Sequence, residues 1–97
     1  MLETFIAQRP EDPFPRYALA LEHKNAGELD TAWGHFAALI AAVPDYTAGY
    51  LHAGNTLVAL GRTGEARKIY SDGIAACQRK GDSHAQGELE GALGALP

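Results

Sequence analysis

The segment LIAAVP at residues 39–44 has a counterpart on each side of it in the chain. Residues 5–10 read FIAQRP, 34 positions earlier, and residues 73–78 read GIAACQ, 34 positions later. All three hold Ile-Ala at their second and third positions, and the first two end in proline, which the third has lost. A fixed spacing of this kind is typical of a chain built from repeated structural units.

The residues around these segments predict helices joined by short turns. Ala, Leu, Glu, Lys and Gln are frequent, and the alternation of apolar and polar residues typical of strands does not occur. Apolar residues recur instead at steps of three and four, as on one face of a helix. The predicted helices cover residues 14–26, 30–42, 46–60, 64–79 and 84–96, with a short one near 2–9.

Capping residues set the expected ends of these helices. Asp12 precedes a proline, which is the pattern of an N-cap followed by proline at the first helical position. Gly27 suits the left-handed conformation that follows a last helical turn. Asp30 and Asp45 are expected to cap the second and third helices. Residues 83–86 fit a capping box in which the serine caps the last helix.

Small, turn and aromatic residues repeat at the same step of 34. Each copy holds a small residue, a turn glycine, an alanine and an aromatic residue at matching intervals. Small residues allow two helices to approach closely where they cross, and an aromatic side chain can fill the space between helix pairs. The matching positions are Ala20, Gly27, Ala32, Phe36 and Pro44 in one copy and Gly54, Gly61, Ala66, Tyr70 and Gln78 in the other.

This pattern resembles the tetratricopeptide repeat family, whose motif is Trp-x-x-Leu-Gly-x-x-Tyr, then Ala-x-x-x-Phe, then Pro. Arg16 and His23 stand where large apolar or aromatic residues are usual, and Gln78 replaces the proline. Without that proline the fourth helix is expected to run on to Lys80. The other motif slots hold Leu19, Ala20, Ala32, Phe36 and Pro44 in the first copy and Tyr50, Ala53, Gly54, Leu57, Ala66 and Tyr70 in the second.

The resemblance implies an all-α fold in which antiparallel helix pairs stack as a short right-handed solenoid with capping helices at both ends. The single domain would consist of a truncated N-terminal helix at 1–12, repeats at 13–46 and 47–80, and a capping helix at 81–97. Apolar residues of the end helices should cover the stack: Leu2, Phe5 and Ile6 as a lid on the first pair, and Leu89, Leu93 and Leu96 on the fourth helix. A nonrepetitive antiparallel helix bundle is the alternative.

Composition argues against several classes of partner. The formal net charge is −4 and no basic cluster of the kind that binds phosphate backbones occurs, so nucleic acid is not an expected partner. The longest apolar run, residues 37–43, is too short for a membrane span, and the first residues lack a signal-peptide pattern. A lone Cys77 suits reducing surroundings and a buried core thiol. A cytoplasmic location is therefore expected.

No residue pattern indicates catalysis. The four histidines lack the pairing that a metal site needs, and neither a nucleophile elbow nor a phosphate-binding glycine loop occurs. We therefore expect no catalytic, metal-binding or cofactor-binding residues, and an enzyme is the least favoured function.

The remaining candidate is a binding surface. In the family that the chain resembles, the first helix of each pair lines a concave groove that binds peptides or partner helices. Exposed apolar side chains there would mark an interaction site, and the Asn55 amide could hold a peptide backbone. The residues expected to face the groove are Phe14, Tyr17, Leu21, Lys24, Leu51, His52, Asn55 and Val58.

Two functions stay open for this surface. The first is a module that binds a partner protein or peptide through the groove. The second is a homodimer that buries the groove or the region around Trp33, since two repeats are fewer than the usual three. The terminal helices could also cover the groove side chains within the chain itself.

Overall fold

The computed structural model describes residues 12–97, and these residues form five helices and no strand. The helices are α1 at Pro13–Asn25, α2 at Leu29–Ala42, α3 at Ala48–Ala59, α4 at Thr63–Lys80 and α5 at Ser83–Gly94. Each helix predicted in this range is present, with ends within two residues of the prediction. The helix predicted near residues 2–9 and its lid lie outside the described residues.

Successive helices pack side by side as antiparallel neighbours, because the turns between them are only a few residues long. The main contacts join α1 to α2, α2 to α3, α3 to α4 and α4 to α5, and smaller contacts join α3 to α1 and to α5. Helices α1, α3 and α5 therefore lie on one side of the stack, and α2 and α4 lie on the other. This arrangement confirms the predicted all-α solenoid of stacked helix pairs.

Several helix ends follow the sequence signals. The Asp12 carboxylate accepts a hydrogen bond from the backbone N–H of Phe14 at 3.1 Å, as an N-cap does. Glycine closes three of the helices in the left-handed conformation, with φ of 80° at Gly27, 78° at Gly61 and 71° at Gly81. α4 continues to Lys80 in the absence of the proline. Local residue chemistry thus determines most of the boundaries.

The cap predicted for α5 is wrong. Asp82, not Ser83, caps this helix, and its Oδ1 accepts a hydrogen bond from the backbone N–H of Ala85 at 3.1 Å. Its Oδ2 accepts a hydrogen bond from the Thr47 hydroxyl at 2.7 Å. These hydrogen bonds lower the pKa of the Asp82 carboxyl, that from Thr47 having the larger effect. One carboxylate therefore joins the beginnings of α3 and α5, which the local sequence does not reveal.

The caps predicted for α2 and α3 are wrong as well. α2 begins at Leu29, so Asp30 lies within its first turn, where a negative charge still favours the helix dipole. The Asp45 side chain forms an ion pair with Arg79 at 2.9 Å instead of capping α3. Both acidic residues stabilise the fold by other means than a cap.

The core forms where the small and aromatic repeat residues meet. Phe36 has no exposed surface and packs with Ala20, Ala32 and Ala53 in a first cluster. Burial of a side chain of this size contributes about 1.5–3 kcal/mol. Tyr70, only 2% exposed, takes the matching place in a second cluster. Three partly buried side chains pack against both clusters and join them: Trp33, Ile40 and Ile69.

Candidate functional site

A cleft of about 150 Å³ opens between α1, α3 and α5. Three of its lining residues, Tyr17, Leu51 and Ala85, are spaced at successive steps of 34 along the chain. They are contributed by the three helices on one side of the stack, one residue from each. The other lining residues are Thr47, Ala48, His52, Glu88 and Leu89.

Tyr17 is held in place by neighbouring aromatic rings. Its ring centroid lies 5.5 Å from that of Tyr46, 6.0 Å from that of His52 and 6.4 Å from that of Phe36, in edge-to-face arrangements. Such geometry is favoured by the aromatic quadrupoles. Burial, and to a smaller degree the Glu88 carboxylate, raises the pKa of the Tyr17 hydroxyl. The hydroxyl is therefore protonated at neutral pH and can donate to a ligand.

His52 lies between a basic and an acidic side chain. Its Nδ1 is 3.3 Å from the Nζ of Lys24 on α1. Because an ammonium group only donates, Nδ1 is the acceptor and the ring proton is on Nε2. Burial and then the charge of Lys24 lower the pKa of His52, and the Glu88 carboxylate opposes them. His52 is therefore a neutral side chain at pH 7.

A second hollow of about 320 Å³ lies further along α3 and α5. It is lined by Asn55 and Val58 of α3, by Tyr70 of α4, and by Ala92, Ala95 and Leu96 at the C-terminal end of the chain. The Asn55 carbonyl oxygen accepts a hydrogen bond from the Tyr70 hydroxyl, so its amide nitrogen is the part that can donate to a ligand. We call the cleft and this hollow together the α3–α5 furrow.

The chain resembles proteins of known structure over most of its length, although no protein-family model and no curated protein matches it. It is similar to a tetratricopeptide repeat domain protein from Salinibacter ruber. In the crystal structure the identity is 36% and the TM-score 0.80, over 84% of this chain and 91% of that chain. In the solution NMR structure the values are 38% and 0.81, over 87% and 85%. The chain belongs to the tetratricopeptide repeat family. A solution structure of a Bordetella parapertussis protein is also similar, with 29% identity, a TM-score of 0.79, and coverage of 95% and 80%.

Five of the eight predicted groove residues line the furrow of this tetratricopeptide repeat protein, and a sixth contacts one of them. The five are Tyr17, Leu51, His52, Asn55 and Val58, and the sixth is Lys24, which contacts His52.

The structure places the last two elsewhere. Leu21 lines neither hollow and packs, partly buried, against the first core cluster, as Tyr17 one turn before it also does. Phe14, at the beginning of α1, lines neither hollow and is 63% exposed.

The contribution of α5 to the furrow was missed. The sequence indicates only a capping helix there, and Leu89, 1% exposed in the second core cluster, does cover the stack. The same helix also supplies Ala85 and Glu88 to the cleft. A signal existed, since one more step of 34 from Leu51 arrives at Ala85.

Within residues 12–97, no three His, Cys, Asp or Glu side chains come together in a group that could hold a metal ion. No helix in that same range combines the length and the apolar character that a bilayer crossing needs.

Proposed function

We propose that this tetratricopeptide repeat protein binds a peptide or a partner protein through the surface formed by α1, α3 and α5. The fold is that of a protein-interaction scaffold in general. The observation that supports this particular surface is the cleft lined by Tyr17, Leu51 and Ala85, one residue from each helix at steps of 34. A repeated unit that presents equivalent side chains along one side suits an elongated ligand better than a compact one.

The chemistry of the furrow fits a peptide. Apolar surface from Leu51 and Val58 can cover ligand side chains, and Val58 is 41% exposed. Polar groups stand beside it, with the Tyr17 hydroxyl and the Asn55 amide nitrogen able to donate to peptide carbonyl groups. A few polar groups in a mainly apolar depression are the usual composition of a binding site.

Peptide selection followed by binding measurements tests this proposal. Peptides selected from a random display library would be titrated against wild type and against Leu51→Ser and Val58→Ser, and loss of affinity in both variants is expected. Val58 is exposed, so its substitution should leave folding unaffected. Ala41→Ser and Ala75→Ser, at exposed positions of α2 and α4, are the controls. Equal affinity in all four variants would contradict the proposal.

Self-association is the second use of this surface. Within residues 12–97, Phe14 and Val58 are the large hydrophobic side chains that remain exposed, at 63% and 41%. A homodimer would cover them. Size-exclusion chromatography with light scattering decides the matter, because a monomer at every concentration excludes the dimer. If Val58→Ser abolishes a dimer, that result would instead favour self-association over peptide binding. A cytoplasmic location and the division into repeats at 13–46 and 47–80 stay predictions.

A further inference from the structure

The cleft has room for one side chain and little more. Its volume of about 150 Å³ is below the roughly 300–1,000 Å³ of pockets that hold small molecules. The neighbouring hollow of about 320 Å³ is only at the lower limit of that range. The furrow therefore fits two side chains of one peptide, one in each depression, better than a cofactor or a metabolite.

The charge of the cleft selects what kind of side chain enters it. Glu88 lies in the wall and is about half exposed, in surface contact with His84 at 3.5 Å. A second carboxylate, that of Asp82, is next to the cleft, because it accepts a hydrogen bond from the hydroxyl of the lining residue Thr47. The neighbouring His52 is neutral at pH 7 for the reasons given above, so it does not offset this negative charge.

A basic side chain beside the cleft, Lys24, keeps its charge but is held against His52 from the α1 side, where it donates to Nδ1. Apolar and aromatic groups complete the lining, with Leu51 and the Tyr17 ring beside the acid. This combination matches a long cationic side chain, whose aliphatic stem packs on apolar surface while its charged end reaches a carboxylate.

We propose that the cleft binds a lysine or arginine side chain of the partner peptide, with Glu88 as its counter-ion and with Tyr17 and Leu51 against its stem. This inference rests on the proposed peptide-binding function and gives it a ligand chemistry. The cation enters where the ring of Tyr17 and the carboxylate of Glu88 border the same space.

The second hollow adds a spacing requirement. Leu51 lines the cleft and Val58 lines the hollow, and these two residues of α3 are seven positions apart. At 1.5 Å per residue the two depressions are about 10 Å apart along the furrow. In an extended polyproline II peptide, residues three apart lie on the same side about 9 Å from each other. The bound motif is therefore a basic residue and an apolar residue separated by two others.

Selection on the full chain tests the motif. Random peptides displayed on phage should be enriched in a basic and an apolar residue at that spacing, in one order or the other. The strongest binder is then synthesised twice, once as selected and once with norleucine, which keeps the stem and removes the charge. Binders without a basic residue would overturn the inference, and a failure to select any binder would count against both proposals.

A charge substitution then tests Glu88 itself. Glu88→Gln should weaken binding of the basic peptide about five- to tenfold, the range for a charge-assisted contact in a partly exposed site. Glu90→Gln, the same change at an exposed position of the same helix, is the matched control and should have no effect. With the norleucine peptide, Glu88→Gln should cause no further loss of affinity, because this peptide has no positive charge to pair with Glu88.

The outcomes separate the two proposals. If Leu51→Ser abolishes binding while Glu88→Gln behaves like Glu90→Gln, the cation site is wrong and the peptide-binding function stands. If Leu51→Ser also has no effect, the function fails. If Glu88→Gln changes the oligomeric state in light scattering, the occupant is a second copy of this chain and the cation site is overturned.

Discussion

Replacing Gly54 by alanine gives the sharpest test of the packing described above. A Cβ at Gly54 would lie 2.2, 2.6 and 2.8 Å from three atoms of the Tyr70 ring. Carbon atoms in contact prefer about 3.5–4.0 Å, so the ring would have to withdraw by about 1 Å or more. The ring has little freedom to do so, because Tyr70 is 2% exposed and its hydroxyl donates a hydrogen bond to the amide oxygen of Asn55.

Three contributions determine the size of the effect. Overpacking of this kind costs about 1–3 kcal/mol, and loss of the Tyr70–Asn55 hydrogen bond costs about 1 kcal/mol more. Alanine gains up to about 1 kcal/mol over glycine inside a helix. We therefore expect Gly54→Ala to lower the free energy of unfolding by about 2–3 kcal/mol. For a domain of this size that corresponds to a fall in Tm of roughly 10–20 °C.

Thermal and urea unfolding followed by circular dichroism at 222 nm would measure this change. The matched control is Gly91→Ala in α5, where a Cβ would meet nothing within 4 Å. That variant should gain up to about 1 kcal/mol from helix propensity alone. The reasoning is refuted if Gly54→Ala is as stable as wild type while Gly91→Ala shows the expected gain.

Three further predictions concern titrating and reactive groups. Burial and the charge of Lys24 lower the pKa of His52, so just below pH 6.5 only the unfolded chain takes up this proton. Stability should therefore fall as the pH is lowered through that range, and His52→Gln should flatten the slope of the urea midpoint against pH. Asp82→Ala should lower the Tm and Ser83→Ala should not, since the former is the cap; equal effects would contradict this assignment. Burial raises the pKa of Cys77, which is fully buried, so its thiol should react with a disulfide reagent far more slowly in buffer than in urea.

The fold could be predicted because its signals are local or strictly periodic. A glycine at the end of a helix, such as Gly27, acts within its own turn, and the step from Phe36 to Tyr70 is visible without any structure. Contacts between side chains that are far apart in the sequence could not be predicted in this way. Asp82 accepts a hydrogen bond from the Thr47 hydroxyl, and Asp45 forms an ion pair with Arg79. These residues come close together only because their helices pack against each other.

The candidate site was predictable to the extent that it follows helical spacing. Spacing alone places Tyr17, His52 and Val58 on the surface that forms the furrow. It cannot tell that Leu21 lines neither hollow, although this residue is one helical turn from Tyr17 and packs against the same core cluster. Helical spacing does not identify Glu88 either. The repeat motif is lost in α5, so the motif gives no indication that the groove continues onto this helix.

The loss of the motif in α5 is confined to one face. The helix can therefore line the cleft with one face while the other face differs from that of a full repeat. On the inner face the step of 34 is kept, from Tyr17 to Leu51 to Ala85, and all three line the cleft. The inner face of α5 is therefore that of a first helix of a repeat. Its residues line the cleft together with residues of α1 and α3.

On the outer face the equivalent residues have changed character. Tyr50 and Leu57 of α3 are buried, at 2% and 0% exposure, in the second core cluster with residues of α4. One step of 34 onward stand His84, whose side chain is 90% exposed, and Gly91, whose position faces open space. A helix laid against α5 as α4 is laid against α3 would find no apolar side chain at these two positions. α5 thus keeps the groove side of a repeat and lacks, at these two positions, the apolar side chains on which a further helix would stack.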